Sequence, residues 1–394
     1  MDEFEKNIKI LKEIQVLIIT AIENNEMSLE ANVQTILNYL ELIQLKSNFV
    51  IYEGLLQFLS HISLVKFMFA ANFTIIKLII KELITKYELG DIFHSSTLFS
   101  IFKENKILLL FLHENNIIDF SLIEKEINFL YLCDDRSMKS RHFFLFFLPE
   151  IAQRNSKLYD KLLTFYGLNS NDISNYKSQT QNPWEMREYG YSHDEIAHII
   201  RNDDLDAFLS YRAQNNLNLN AKLWSSFLEN NHDMNPIDRI SLLEYSMSFR
   251  SVKIFKFLWQ NKVMYDKISL RYGIIGGNHE ILNIIEEDTI YNPFLLFYEE
   301  AIKYHHIDIV NYLFDFYSIN MSILEKVRCF QEWFYYTGIY DAIQNNINKN
   351  LVYSWIPNHI ISCTSCQQYL YYTFFLNQSD FNINNINEVI DYHF

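Results

Sequence analysis

Cys363-Thr364-Ser365-Cys366 is the one C-x-x-C in the chain, and His359 stands four residues before it. A structural zinc ion wants four nitrogen or sulfur ligands. Cys329 and His393 are the nearest further candidates in sequence, and they show no recognisable ligand spacing. A thioredoxin-like redox centre would need a βαβ setting and a helix N-terminus to lower the thiol pKa, and no such pattern surrounds the pair. The expectation is two reduced cysteines packed in a helix, with a zinc- or thiol-dependent module centred on Cys363 and Cys366 as the alternative. Glu286-Glu287-Asp288 and Asp203-Asp204-x-Asp206 lack the alternating oxygen ligands of a calcium loop and read as solvated surface. Ser-His-Asp and Cys-His constellations assemble only in space. A hydrolase with a spatially assembled site is therefore a further alternative, which no local signature supports. No catalytic residue, metal ligand or cofactor is assigned.

The elements that would position such groups are helical. Eight Gly and five Pro are the whole stock of the two turn residues, about 3% of the chain, against an ordinary usage of about 12%. That disfavours many-turned β-sandwiches and barrels, and folds hung on glycine-rich phosphate loops. Apolar residues make up 49% and aromatic residues 16%, enough for a large core. Ile8, Leu11, Ile14, Leu17 and Ile18 form one helical stripe, and Val33, Ile36, Leu37, Leu40 and Ile43 another. Ile107–Leu112 and Phe143–Leu148 are apolar on every face, which suits helices buried on several sides. Many of the 40 Asn fall where a helical pattern stops, as at Asn115-Asn116, Asn215-Asn216, Asn230-Asn231 and Asn261. Asn tolerates the left-handed conformation and can end or cap helices where Gly is missing.

The formal charge is −15, from 33 Lys plus Arg against 48 Asp plus Glu. It divides unevenly: −4 through residue 180 and −11 after it. Such a chain repels phosphate backbones and anionic lipid surfaces, which argues against nucleic acid and membrane as partners and leaves a basic protein surface open. The start of the sequence has no basic lead and apolar run of a signal peptide. The greasiest stretch, Leu55–Ile84, is broken by Gln57, His61, Lys66, Asn72, Lys77 and Lys81, and falls short of the roughly 20 apolar residues of a membrane span. Four cysteines without a secretory signal suggest a reducing compartment. A soluble cytoplasmic protein is expected.

A short unit recurs in the second half. Leu242–Ser246 with Arg250–Leu258, Ser269–Gly273 with Gly277–Ile285, and Phe297–Ala301 with His305–Leu313 align, and the equivalent Leu243, Leu270 and Tyr298 are 27 and 28 residues apart. Each unit reads as a short helix bearing a large apolar residue and then a small one (Ser246, Gly273, Ala301). A tight corner follows, and then a second helix with an apolar pair (Ile254-Phe255, Ile281-Leu282, Ile309-Val310). In this frame His305-His306 lies at a corner, and Asp308 falls in a first turn, where its charge complements the helix dipole. Gly273-x-x-Gly276-Gly277 matches no phosphate-binding fingerprint and reads as close helix packing plus a corner.

These segments resemble the ankyrin repeat, T-P-L-H-x-A-x-x-x-G-H-x-x-I-V-x-x-L-L. They depart from it in lacking T-P-L-H, in keeping the corner Gly only at Gly277 and in having a period about five residues short of 33. LLEYSMSFRSVKIFKFL, YGIIGGNHEILNIIEED and EEAIKYHHIDIVNYL resemble more closely a divergent ankyrin-like domain of unknown function expanded in parasitic protists. Ile196–Phe208 is a weaker copy, Leu98–Asn115 a decayed one, and Leu223–Leu228 in the insert between is expected to form one extra helix. The resemblance implies a stacked helical array and no catalytic residue.

The expected fold is all-α, an elongated helical solenoid of ankyrin-like helix-turn-helix repeats with a helical N-terminal half. The expected divisions are a helical N-terminal region at 1–166, a linker at 167–184, repeats at 185–320 and a helical cap at 321–394. The expected function is a non-enzymatic protein-interaction scaffold. On ankyrin-type arrays the partner surface is formed by inter-repeat turns and the exposed end of each first helix. The residues before each corner, Ser248-Phe249, Ile275-Gly276 and Lys303-Tyr304, are the expected partner-binding positions, with Phe249 and Tyr304 on the concave face. The acidic balance favours a partner with exposed Lys or Arg. Nothing in the sequence indicates an oligomeric state.

Overall fold

The computed structural model of the chain describes residues 2–23, 28–66, 70–177, 182–192, 194–236, 239–288, 296–317 and 323–344. Among them are 22 α-helices and no β-strand; a lone antiparallel bridge joins Lys222 and Ser241. The protein is all-α. No described helix is long and apolar enough to cross a membrane.

Asn acts mainly at helix starts. The side chains of Asn48, Asn105, Asn155 and Asn278 each accept from the backbone N–H three residues on, satisfying a donor that the helix leaves unpaired. Among the described residues eleven that are not Gly take a left-handed conformation, most of them just past a helix end. Asn supplies only two, Asn116 and Asn216; Gln44, Glu88, Asp134, Asp203, Arg239, Arg250, Lys262, His305 and Phe334 are the others. Punctuation by Asn is therefore real at N-caps and incomplete at C-caps.

Two compact units divide the chain, one from the described parts of 1–66, 71–104 and 317–394, the other from those of 67–70 and 105–316. In the first, helix Asp2–Glu23 packs on Tyr336–Gln344, Leu29–Leu42 and Phe49–Val65. Ile8, Leu11, Ile14 and Ile18 are buried on its stripe. Tyr336 ties helix Tyr336–Gln344 to Asp2–Glu23 and Phe49–Val65, its N–H donating to Gln15 Oε1 (2.9 Å) and its hydroxyl to Gly54 O (3.2 Å). The expected boundary at 167–184 lies inside the second unit instead. There Trp184 is buried, and its Nε1–H donates to Leu145 O at 2.8 Å. A polar run with one Gly and one Pro is compatible with packing when a single large aromatic anchors it.

The second unit contains four helix pairs: Glu195–Arg201 with Leu205–Asn215, Leu242–Ser248 with Val252–Gln260, Arg271–Gly276 with His279–Glu287, and Tyr298–Lys303 with Ile307–Tyr317. First helices pack on the first helices of the neighbouring pairs. Among the first three pairs the second helices likewise pack on second helices. Each pair turns at one left-handed residue, Asp203, Arg250, Gly277 and His305 in order. At three of them the next N–H reaches back five residues: Asp204 to Ile199 O (3.3 Å), Ser251 to Ser246 O (2.9 Å) and His306 to Ala301 O (3.0 Å). This is the Schellman closure, whereas Gly277 uses the simpler bond to Gly273 O (2.9 Å). The same closure recurs at Phe334, between Ile323–Glu332 and Tyr336–Gln344, with Tyr335 N–H on Phe330 O (2.7 Å). A fifth corner thus stands where only a cap was expected. Segment 98–115 also folds as two helices, Ser95–Phe102 and Lys106–Glu114, but has no left-handed corner between them.

The insert between the first two pairs is not a helix. Leu223 N–H donates to Ile240 O (2.8 Å) and Leu242 N–H to Ala221 O (3.3 Å), closing its neck. Within it Asn235 Oδ1 accepts from Ser226 N–H (3.1 Å) and Asn235 Nδ2 donates to Ser226 O (2.8 Å). Such side-chain bonds give the backbone an alternative to helical pairing.

A non-Gly residue in the left-handed region is strained by about 1 kcal/mol. Lys262, exposed and closing helix Val252–Gln260, is the cleanest test. Lys262→Gly is expected to raise the urea midpoint, by about 0.5 kcal/mol of stability, and Lys262→Val to lower it.

Candidate functional site

The six expected partner-binding residues are, with one exception, inside the protein. Ser248, Phe249, Ile275, Gly276 and Tyr304 are buried, Phe249 at 5% and Tyr304 at 0% exposure, and Lys303 is half-buried. The exposed face expected at Phe249 and Tyr304 is therefore corrected: Phe249 lies against Tyr245 and the Arg201 guanidinium of the preceding pair, and Tyr304 is held by the insert. Asp233, in the short 3-10 turn His232–Met234, accepts from Arg271 Nη2 (2.7 Å), Lys303 Nζ (2.6 Å) and the Tyr304 hydroxyl (2.7 Å). Asn231 Nδ2 donates to the same hydroxyl (2.8 Å), and the Tyr272 hydroxyl reaches Asp233 O (3.3 Å). Burial pushes the Asp233 carboxyl up, but Lys303, Tyr304 and Arg271 outweigh it and hold the group below the ordinary aspartate value.

A second polar cluster anchors the insert at Phe227–Asn230, just before Asp233. Lys106, at the start of helix Lys106–Glu114, is fully buried and donates to Phe227 O (2.8 Å) and Glu229 O (2.7 Å). Its ammonium lies over the Phe146 ring at 5.3 Å. Burial pushes its pKa down to about 7 and that of Glu229 up to about 7. Asn230 Nδ2 donates to Asn105 Oδ1 (3.0 Å), and Arg201 Nη1 to the Tyr245 hydroxyl (2.7 Å). Lys106 thus binds the backbone of the insert, and the Asp233 side chain clasps the insert to the third and fourth pairs.

At the corners, polar side chains tie one pair to the next. Asp203 caps the second helix of the following pair, accepting from Lys253 N–H and Ile254 N–H (3.0 Å each). Ser251 Oγ donates to Ile200 O (2.5 Å), and Arg250 Nε to Gly276 O (2.5 Å). His306 Nε2 pairs with Ile275 O (3.0 Å). His305 and His306 are buried corner residues, and Asp308 pairs with His279 across the third and fourth pairs. Gly276 has a steric reason to be Gly, since a Cβ there would stand 2.0 Å from Met247 O. At Gly277, with φ +62°, it would stand 2.4 Å from the His306 ring.

Cys363, Cys366, His359 and His393 lie outside the described residues. Cys329 is buried and Cys133 exposed, and no group of three or more His, Cys, Asp or Glu able to hold a metal occurs among the described residues. For the clasp that Asp233 makes, the sequence signal was two cations on the first helices of consecutive pairs, Arg271 opening one and Lys303 closing the other. Nothing in the sequence paired them with Asp233, or Lys106 with the insert.

The clasp predicts a pH-dependent stability. Asp233 titrates below its unfolded value, so its contribution is complete above about pH 4 and is lost as pH falls through the folded value. Asp233→Asn is expected to lower stability at pH 7 by about 2 kcal/mol, the worth of charged hydrogen bonds. The gap from wild type should narrow below about pH 4 in denaturant titrations.

Residues 260–353 match the model of a domain of unknown function, DUF3447. No curated protein and no solved structure matches the chain. The matched stretch begins at Gln260, takes in the third and fourth pairs and extends through the helices at 323–344, so it is this part of the chain that is similar to the family.

Proposed function

We propose that the helix pairs are shortened ankyrin-like repeats and that the chain is a non-enzymatic protein-interaction scaffold, binding through the connections between pairs. The observation that carries this reading is large apolar side chains in those connections. Trp224 in the insert is 67% exposed, and Met264 and Ile268, between the second and third pairs, are 75% and 65% exposed. Tyr265 beside them and Leu296 before the fourth pair are exposed as well. The first two connections adjoin, since Met264 N–H donates to Asn220 Oδ1 at 2.8 Å. Tyr265 stacks on Trp259 (4.9 Å) and the Arg239 guanidinium on Trp224 (3.6 Å), which holds both rings in place. Rigid, exposed aromatic and thioether groups are what binding surfaces use as anchors.

The recurrence of the corner at spacings of 27 and 28, and the packing of first helix on first helix, support the ankyrin-like part of the reading. The concave face at Ser248, Phe249, Ile275, Gly276 and Tyr304 contributes no exposed side chain in this arrangement, and the turns carry the binding. The charge of −11 after residue 180 favours a partner with exposed Lys or Arg.

Affinity purification from the source cell, comparing wild type with the combined Met264→Ser, Tyr265→Ser and Ile268→Ser variant, tests the proposal. The variant is expected to keep its helix content and lose most retained proteins. An undiminished partner set would overturn the turn surface as the binding site.

A further inference from the structure

The seam between the second helices of the third and fourth pairs holds a cavity of about 260 Å³, with Ile274, Leu282, Ile309 and Leu313 as its apolar lining. Glu286 and Asp308 stand at its edge, with His279, the partner of Asp308, beside them. The Tyr312 hydroxyl donates to Glu286 Oε1 (3.1 Å), which fixes the carboxylate beside the opening.

The preceding seam, between the second and third pairs, is filled from within. In the frame set by the left-handed corners at 250 and 277, Phe255 stands where Leu282 stands and Trp259 where Glu286 stands. The Trp259 ring lies against Phe255 (5.4 Å) and Tyr265 (4.9 Å). Its Nε1–H donates to the Asp288 carboxylate at the end of the third pair's second helix, so the indole bridges the seam. Leu and Glu replace both rings one repeat later, and the space they would take is the cavity.

We propose that this seam receives one aromatic side chain, an indole above all, from a partner segment carrying Lys or Arg beside it. The apolar lining takes the ring, as an aromatic group buries 150–250 Å² on docking. Glu286 takes the part that Asp288 plays for Trp259, accepting the indole N–H. Glu286 and Asp308 set a negative edge that selects flanking cations. The site is separate from residues 264–268, so it stands or falls independently of the turn surface.

The test is calorimetric titration of the full chain with acetyl-Lys-Lys-Trp-Lys-Lys-amide and with the same peptide carrying Ala in place of Trp. The Trp peptide is expected to bind one to one, about tenfold or more tighter than the Ala peptide. Asp308→Lys should weaken it severalfold. Glu286→Trp, which seats an indole from within, should abolish the preference for Trp. If that variant loses helix content, Leu282→Phe, the residue type of the preceding pair, replaces it under the same criterion. Equal affinity for the two peptides would overturn the proposal, and so would a Trp preference that survives in a folded filled-seam variant.

Discussion

In each of the four pairs of the second unit the chain turns back after a helix of six or seven residues through one residue in the left-handed region, at about 1 kcal/mol for any side chain but Gly. Here Gly supplies it once among the four pairs of the second unit, and Asp203, Arg250 and His305 supply the rest. Two of these side chains return that strain as bonds between pairs. The Asp203 carboxylate caps the next pair's second helix, and Arg250 reaches the last carbonyl of the next pair's first helix. A Gly at either place would relax the backbone and delete the link. The corner therefore fixes both the turn within a pair and the register between pairs, which explains how an array so poor in Gly holds together.

The insert depends on that register. Asp233 can meet Arg271, Lys303 and Tyr304 at once only if the third and fourth pairs are held at a fixed offset. Lys106 holds the backbone of the insert at Phe227 and Glu229, a few residues before Asp233. Both clusters place charge in a buried setting, where losing one partner is more damaging than never having had the pair. The insert thus covers Tyr304 and part of Lys303, while Trp224, Met264 and Ile268 in the connections stay exposed.

Much of the fold was legible in the sequence. The three corners at Arg250, Gly277 and His305 follow from local pattern, as do the small residues at Ser246, Gly273 and Ala301 and the stripes of the N-terminal helices. Local pattern failed where long-range placement decides. Nothing in Leu223–Leu228 says that Asn235 will take its backbone bonds, and nothing in His232-Asp233 says which cations it will meet. Phe334 was missed as a fifth corner because a bulky aromatic is among the least expected residues at positive φ. The burial of Tyr304 was missed for a related reason: a repeat frame shows which way a side chain leaves its helix, but not whether an insert folds back over it; Phe249 is closed off instead by Tyr245 and by Arg201 of the preceding pair.

Native-state hydrogen exchange over residues 195–317 tests most directly the claim that corner contacts couple the pairs. The account predicts that the amides of Ser251 and His306, and those of Lys253 and Ile254 held by Asp203, open with one common free energy, as in a cooperative repeat array. It also predicts that Asp203→Ala lowers protection at Lys253 and Ile254 and spreads that loss to the third pair. Independent opening of each pair, or Lys253 and Ile254 exchanging as fast as solvent-exposed amides in the wild type, would contradict it.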